Sequence, residues 1–60
     1  MKSINDLKEN DCIIKERIYP ELTMYDVITI GCSSGFSTMD DAIKEAVELG
    51  LNIVEIQYYE

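Results

Sequence analysis

Thr38-Met39-Asp40-Asp41-Ala42-Ile43-Lys44-Glu45-Ala46-Val47-Glu48-Leu49-Gly50 is the stretch whose reading decides the fold. A hydroxyl at Thr38, or at Ser37 before it, can accept from the first unpaired N–H groups of a helix. Asp40 or Asp41 then supplies acid in the first turn, a relative of the capping box. Met39, Ala42, Ile43, Ala46 and Val47 recur at the i, i+3, i+4, i+7, i+8 spacing of one apolar stripe, and Asp40, Asp41, Lys44, Glu45 and Glu48 fall outside it. Gly50 suits the left-handed position that ends a helix, with Leu51 placed to fold back on Ala46. The spacing predicts a helix over residues 38–49, one face buried and one acidic.

Upstream, Cys12-Ile13-Ile14-Lys15-Glu16-Arg17-Ile18-Tyr19 is β-branched and aromatic, and Pro20 closes it by removing a ladder donor. Residues 20–23 read as a turn, after which Met24 to Ile30 resumes the same composition. Downstream of the helix, residues 52–59 alternate, with Val54, Ile56 and Tyr58 on one face and Glu55, Gln57 and Tyr59 on the other. Residues 1–11 hold a cap at Ser3 and only Ile4 and Leu7 as apolar anchors, which makes them an arm. The organisation is therefore one domain over 1–60: arm 1–11, β-hairpin 12–32, helix 38–49, C-terminal strand 52–59. Its class is α+β, a small ββαβ domain with a three-stranded mixed, mostly antiparallel sheet and the helix on one face.

A three-residue hairpin loop pairs Pro20 with Met24, which sets Ile14 opposite Ile30, Glu16 opposite Ile28 and Tyr19 opposite Tyr25. Opposed residues share a face. The core face is then Cys12, Ile14, Ile18, Ile28, Ile30 and Cys32, and Lys15, Arg17, Thr29 and the tyrosine pair face outward. A right-handed crossover through the helix places the last strand parallel to the second. The uncovered face carries Tyr19, Tyr25 and Tyr59, which marks them as the seam of a homodimer. A chain of this length also buries only about 60% of the surface it exposes unfolded, so a second copy would add needed burial.

Apolar residues are 47% and charged residues 28% of the chain, ordinary for a globular domain. There is no basic start followed by an apolar run and nothing long enough to span a bilayer, so the expected address is the cytoplasm, without membrane contact. Two cysteines fall short of a disulfide framework. Cys12 and Cys32, cross-strand neighbours in this register, are expected as reduced thiols, with a disulfide as the alternative. Twelve acidic residues against five basic ones leave a net charge of −7. The acid is concentrated after residue 23, where Lys44 alone stands against Asp26, Asp40, Asp41, Glu45, Glu48, Glu55 and Glu60. That balance repels nucleic acid and selects a protein with a basic surface. Histidine is absent, which removes the common triads, and two thiols are too few for a structural zinc site. No metal, no cofactor and no enzymatic activity are expected.

Two constellations remain. The first is Ile28-Thr29-Ile30-Gly31-Cys32-Ser33-Ser34-Gly35-Phe36-Ser37-Thr38, a thiol in a glycine and serine loop ahead of a helix, where free N–H groups attract an anion and favour a thiolate. Cys32, Gly35 and Thr38 resemble the Cys-x-x-Gly-x-x-Thr phosphocysteine loop of the IIB components of bacterial sugar phosphotransferase systems. The resemblance implies a phosphoryl or thiol-handling role for Cys32, Ser33, Ser34, Gly35 and Thr38. The second is the acidic helix face, Asp40, Asp41, Glu45 and Glu48, joined by Glu55, Tyr58 and Tyr59. Carboxylates on a rigid helix engage Arg and Lys, and tyrosines anchor interfaces. Short acidic proteins that block a host enzyme, many from phages and mobile elements and some imitating the charge of DNA, offer a class-level analogy. The expected function is a non-enzymatic interaction module that binds and inhibits such a partner. The phosphocysteine reading is the alternative, and a small oligomer stacking a planar ligand on its tyrosines is a third.

Overall fold

In a computed structural model that describes residues 7–58, β1 spans Asp11–Ile18, β2 Thr23–Ile28, β3 Ser33–Phe36, α1 Met39–Glu48 and β4 Asn52–Gln57. The expectations for Ser3, Ile4, Tyr59 and Glu60 lie outside the described residues. The strands form one mixed sheet in the order β3-β2-β1-β4. β1 and β3 run antiparallel to β2, and β4 runs parallel to β1. The chain is an α+β domain with one helix packed on one face of the sheet, and the sheet has four strands rather than three.

The extra strand comes from residues that read as a flexible connection. Ser33, Ser34 and Gly35 have poor strand propensity, yet they pair with β2 from Ile28↔Ser33 to Tyr25↔Phe36. A tight turn delivers them there. The Thr29 N–H donates to the Cys32 carbonyl at 2.8 Å, the Thr29 hydroxyl donates to the same carbonyl at 3.1 Å, and the Cys32 N–H donates to Thr29 Oγ1 at 3.2 Å. Local threonine bonds of this kind substitute for a designed turn sequence. Gly35 lets β3 lie close: a Cβ there would stand 3.1 Å from Met24 Cε and 3.3 Å from Asp26 Oδ1.

The hairpin register also differs from the expected one. Ile14 pairs with Val27, Glu16 with Tyr25 and Ile18 with Thr23. The Tyr19 N–H donates to the Leu22 carbonyl at 2.8 Å, so Pro20 is not the last paired residue but the second residue of a four-residue turn, the position its fixed φ favours. This moves β2 by three residues, an odd number, and an odd shift exchanges its two faces. Val27 and Tyr25 turn toward the helix, Ile28 turns away, and Ile30 and Cys32 leave the sheet for the β2–β3 turn. Tyr25 therefore packs on the core and does not oppose Tyr19 on an open face.

The core is Cys12, Ile14, Val27, Ala42 and Ala46, with Tyr25, Phe36, Met39, Ile43, Leu51, Ile53 and Ile56 packed around it. Ala42 and Ala46 are fully buried, and their small side chains let the helix approach the sheet closely. Leu7 and Ile13 are buried outside this cluster, Ile13 on the opposite sheet face, where Arg17 and Asp26 form an ion pair.

The helix is capped at both ends. Thr38 Oγ1 accepts from the Asp41 N–H at 3.1 Å. At the other end the Leu51 N–H donates to the Ala46 carbonyl at 2.9 Å and the Gly50 N–H to that of Val47 at 3.0 Å, with Gly50 at φ 70. This is the 6→1 and 5→2 pairing of a Schellman motif. The helix departs from β3, not β2, so the crossover spans the sheet. With β3 already on the outer edge of β2, the chain returns beside β1, which makes β4 a neighbour of β1 and not of β2. A bulge opposite Cys12/Ile13 leaves Val54 as the extra residue. Ile53 and Ile56, three apart, consequently both pack on the helix side, in place of the expected Val54, Ile56 and Tyr58.

Candidate functional site

The helix carries most of the candidate residues, and its electrostatics differ between its two ends. Asp40 and Asp41 occupy the first turn, where the positive end of the macrodipole favours them. Glu45 and Glu48 occupy the far end, and no basic residue stands in the last turn. Carboxylates there face the negative end of the dipole, an arrangement that disfavours the helix by about 0.3–1 kcal/mol per charge at low ionic strength. Lys44 is the helix's one cation. Beside these carboxylates, Val47 is 66% and Leu49 62% exposed. The C-terminal half of α1 thus presents two aliphatic side chains rimmed by acid.

Sequence reasoning missed this pair because Val47 completes the apolar stripe by spacing. The buried face is narrower than the stripe, centred on Ala42 and Ala46, and Val47 lies to one side of it. Leu49 is the C-cap residue, beyond the reach of periodicity. The available signal was the two alanines: small residues mark the line of closest approach, and the outermost stripe residue then falls outside it.

The other expected partner-binding residues are not brought together. A ten-residue helix is about 15 Å long, and it starts at the end of the sheet where β4 stops. Asp40 and Asp41 therefore lie at the same end as Tyr58, and Glu45 and Glu48 at the opposite end. Glu55 pairs with Ile13 across the β1–β4 ladder, on the sheet face away from the helix. Tyr58 is 64% exposed, and Tyr59 lies outside the described residues. At the Tyr58 end, Ile18, Tyr19 and Leu22 are also exposed, next to an open notch of ≈ 280 Å³ lined by Lys15, Glu16, Arg17, Ile18 and Tyr19.

Tyr25, expected at a dimer seam with Tyr19 and Tyr59, instead opposes Glu16 across β1–β2. Burial first, then the charge of Glu16 and a hydrogen bond from the Tyr25 hydroxyl to its carboxylate, push the phenol's pKa up. This pair ties the hairpin together and offers no group for proton transfer near neutral pH.

The Cys32 loop does not form the site that its resemblance implies. Ser33, Ser34 and Gly35 are strand residues of β3, which separates Cys32 from the helix start by the length of that strand. Thr38 caps its own helix, and Cys32 sits in the β2–β3 turn at the opposite end of the sheet, 3.4 Å from Thr29 Oγ1. The N–H groups and dipole that would hold a phosphate are not aimed at its thiol. Cys12 and Cys32 are both free, Cys12 buried and Cys32 exposed, so they are not the cross-strand pair of the expected register. Burial, and then the charge of Asp11, push the Cys12 thiol's pKa up. Among the described residues no three His, Cys, Asp or Glu side chains converge as metal ligands, and no helix is long and apolar enough to cross a membrane.

Comparison with protein-family models finds no match to this chain, and searches of curated proteins and of solved structures find none either.

Proposed function

We propose that this chain is a protein-interaction module whose partner presents a basic surface, and that the C-terminal half of α1 is the part that meets it. The observation that carries the reading is the combination at that end of the helix: Glu45 and Glu48 against the dipole, with Val47 and Leu49 exposed between them. Neither feature serves the stability of the domain. Aliphatic anchors rimmed by one sign of charge are the composition of an interface, the anchors supplying affinity and the charges steering the encounter and selecting the partner. The overall charge of −7 acts in the same direction at long range. Inhibition of the partner follows if the helix covers a functional basic surface on it.

The test is capture from bacterial lysate at low and high salt by the tagged chain and by the double variant Glu45→Lys, Glu48→Lys. A protein captured by the parent at low salt, released at high salt and lost by at least about tenfold with the variant supports the reading. The variant also carries its own folding control. Lysines in the last turn complement the dipole, so its melting temperature stays level or rises. Equal capture by both forms, or no salt-sensitive capture, refutes the proposal.

A further inference from the structure

We infer that β4 is the seam of a symmetric dimer, in which a second copy of the chain pairs antiparallel with its outer edge and extends the sheet from four strands to eight. Among the described residues, nothing hydrogen-bonds to that edge: β4 ends the strand order, with β1 on its inner side only. The two edges of the sheet differ. β3 has four residues, two serines and a glycine among them, whereas β4, Asn52-Ile53-Val54-Glu55-Ile56-Gln57, has six, three of them β-branched. Edges are commonly protected by lysine or proline. β4 has neither.

The argument for a second copy as occupant is the face pattern that the bulge creates. In a regular strand, residues three apart point to opposite faces. Here the extra residue Val54 brings Ile53 and Ile56 to the helix side, while Asn52, Glu55 and Gln57, the partners of Asp11, Ile13 and Lys15, lie on the other side. Read in either direction, the outer four positions give the same order: open side, helix side, helix side, open side. A two-fold axis between Val54 and Glu55 then sets Ile53 against Ile56 of the second copy, Ile56 against its Ile53, and Asn52 against its Gln57, each pair on one face as antiparallel pairing demands. Ile53 and Ile56 are only half-buried, and the pairing covers both from the side, joining the two cores beneath a continuous sheet. An interface of this kind is isologous and closes on itself, so it stops at two copies. The register also places each Glu55 opposite Val54 and not opposite the other Glu55, which limits repulsion between two acidic chains. The inference is independent of the helix surface proposed above, because that surface lies on the outer side of α1.

The experiment is sedimentation velocity on the full chain from about 1 to about 100 µM, together with disulfide trapping in a Cys32→Ser background. The expected mass at the upper concentrations is twice the 6.9 kDa of the chain. Mixing equal amounts of Val54→Cys and Glu55→Cys chains under mild oxidation is expected to give the mixed disulfide dimer in several-fold excess over either homodimer, because those two positions are directly opposed. Amide exchange at residues 53–56 should slow with concentration while exchange in β3 does not. A monomer mass throughout overturns the inference. So does a dimer that yields no excess of the mixed disulfide, since that dimer uses another seam.

Discussion

Replacing Val27 and Ile30 by alanine, one at a time, tests the β1–β2 register directly. Val27 is 4% exposed and packs in the core. Val27→Ala removes two methyl groups at about 0.8 kcal/mol each and leaves a cavity, a loss of about 2 kcal/mol. Ile30 is 54% exposed in the β2–β3 turn, so Ile30→Ala changes stability by no more than about 0.5 kcal/mol although it deletes more carbon. For 60 residues, a total stability of about 3–9 kcal/mol is expected, so the first variant forfeits a large fraction of it. Urea unfolding followed by far-ultraviolet circular dichroism reads both. With a slope near the small-protein value of about 1 kcal/mol/M, Val27→Ala lowers the midpoint by about 2 M and Ile30→Ala by less than about 0.5 M. In the register that pairs Ile14 with Ile30 the order reverses, because Ile30 would be core and Val27 would face solvent. A larger loss for Ile30→Ala therefore refutes the hairpin described above.

Two further outcomes are expected. Gly50→Ala forces a Cβ into the left-handed region at φ 70 and should cost about 1–2 kcal/mol, although that Cβ meets no atom within 4 Å; a neutral result by urea unfolding would show that the C-cap does not depend on that conformation. Stability should also fall in alkali. The Cys12 thiol and the Tyr25 phenol both have pKa values raised by burial first, so each holds its proton in the folded chain at a pH where the unfolded chain has released it. The unfolded state then binds fewer protons, and stability, fully present below the thiol's ordinary value of 9.0, declines above it and again above the tyrosine's ordinary 10.0. A urea midpoint that stays flat across this range would contradict the burial of Cys12.

What the linear sequence determined alone are the elements with local causes. The helix, its Thr38 cap and its Gly50 stop follow from bonds and spacings within a few residues, and they stand within a residue of where the pattern puts them. The α+β class follows as well, because a 3.6-residue stripe flanked by β-branched runs leaves little else to build. The acidity of the helix face is legible for the same reason. What only the tertiary structure decided are the relations between elements. A strand's two faces differ by a single residue of register, and here the register rested on whether Pro20 ends a strand or opens a turn. The β3 strand has no propensity of its own and exists because β2 offers a free edge to a chain already reversed by Thr29. The placement of β4 beside β1, and the bulge that turns Ile53 and Ile56 to one side, follow from that added strand. The exposure of Val47 and Leu49 is likewise set by how closely Ala42 and Ala46 let the helix approach the sheet, a distance between elements that spacing along one of them does not contain.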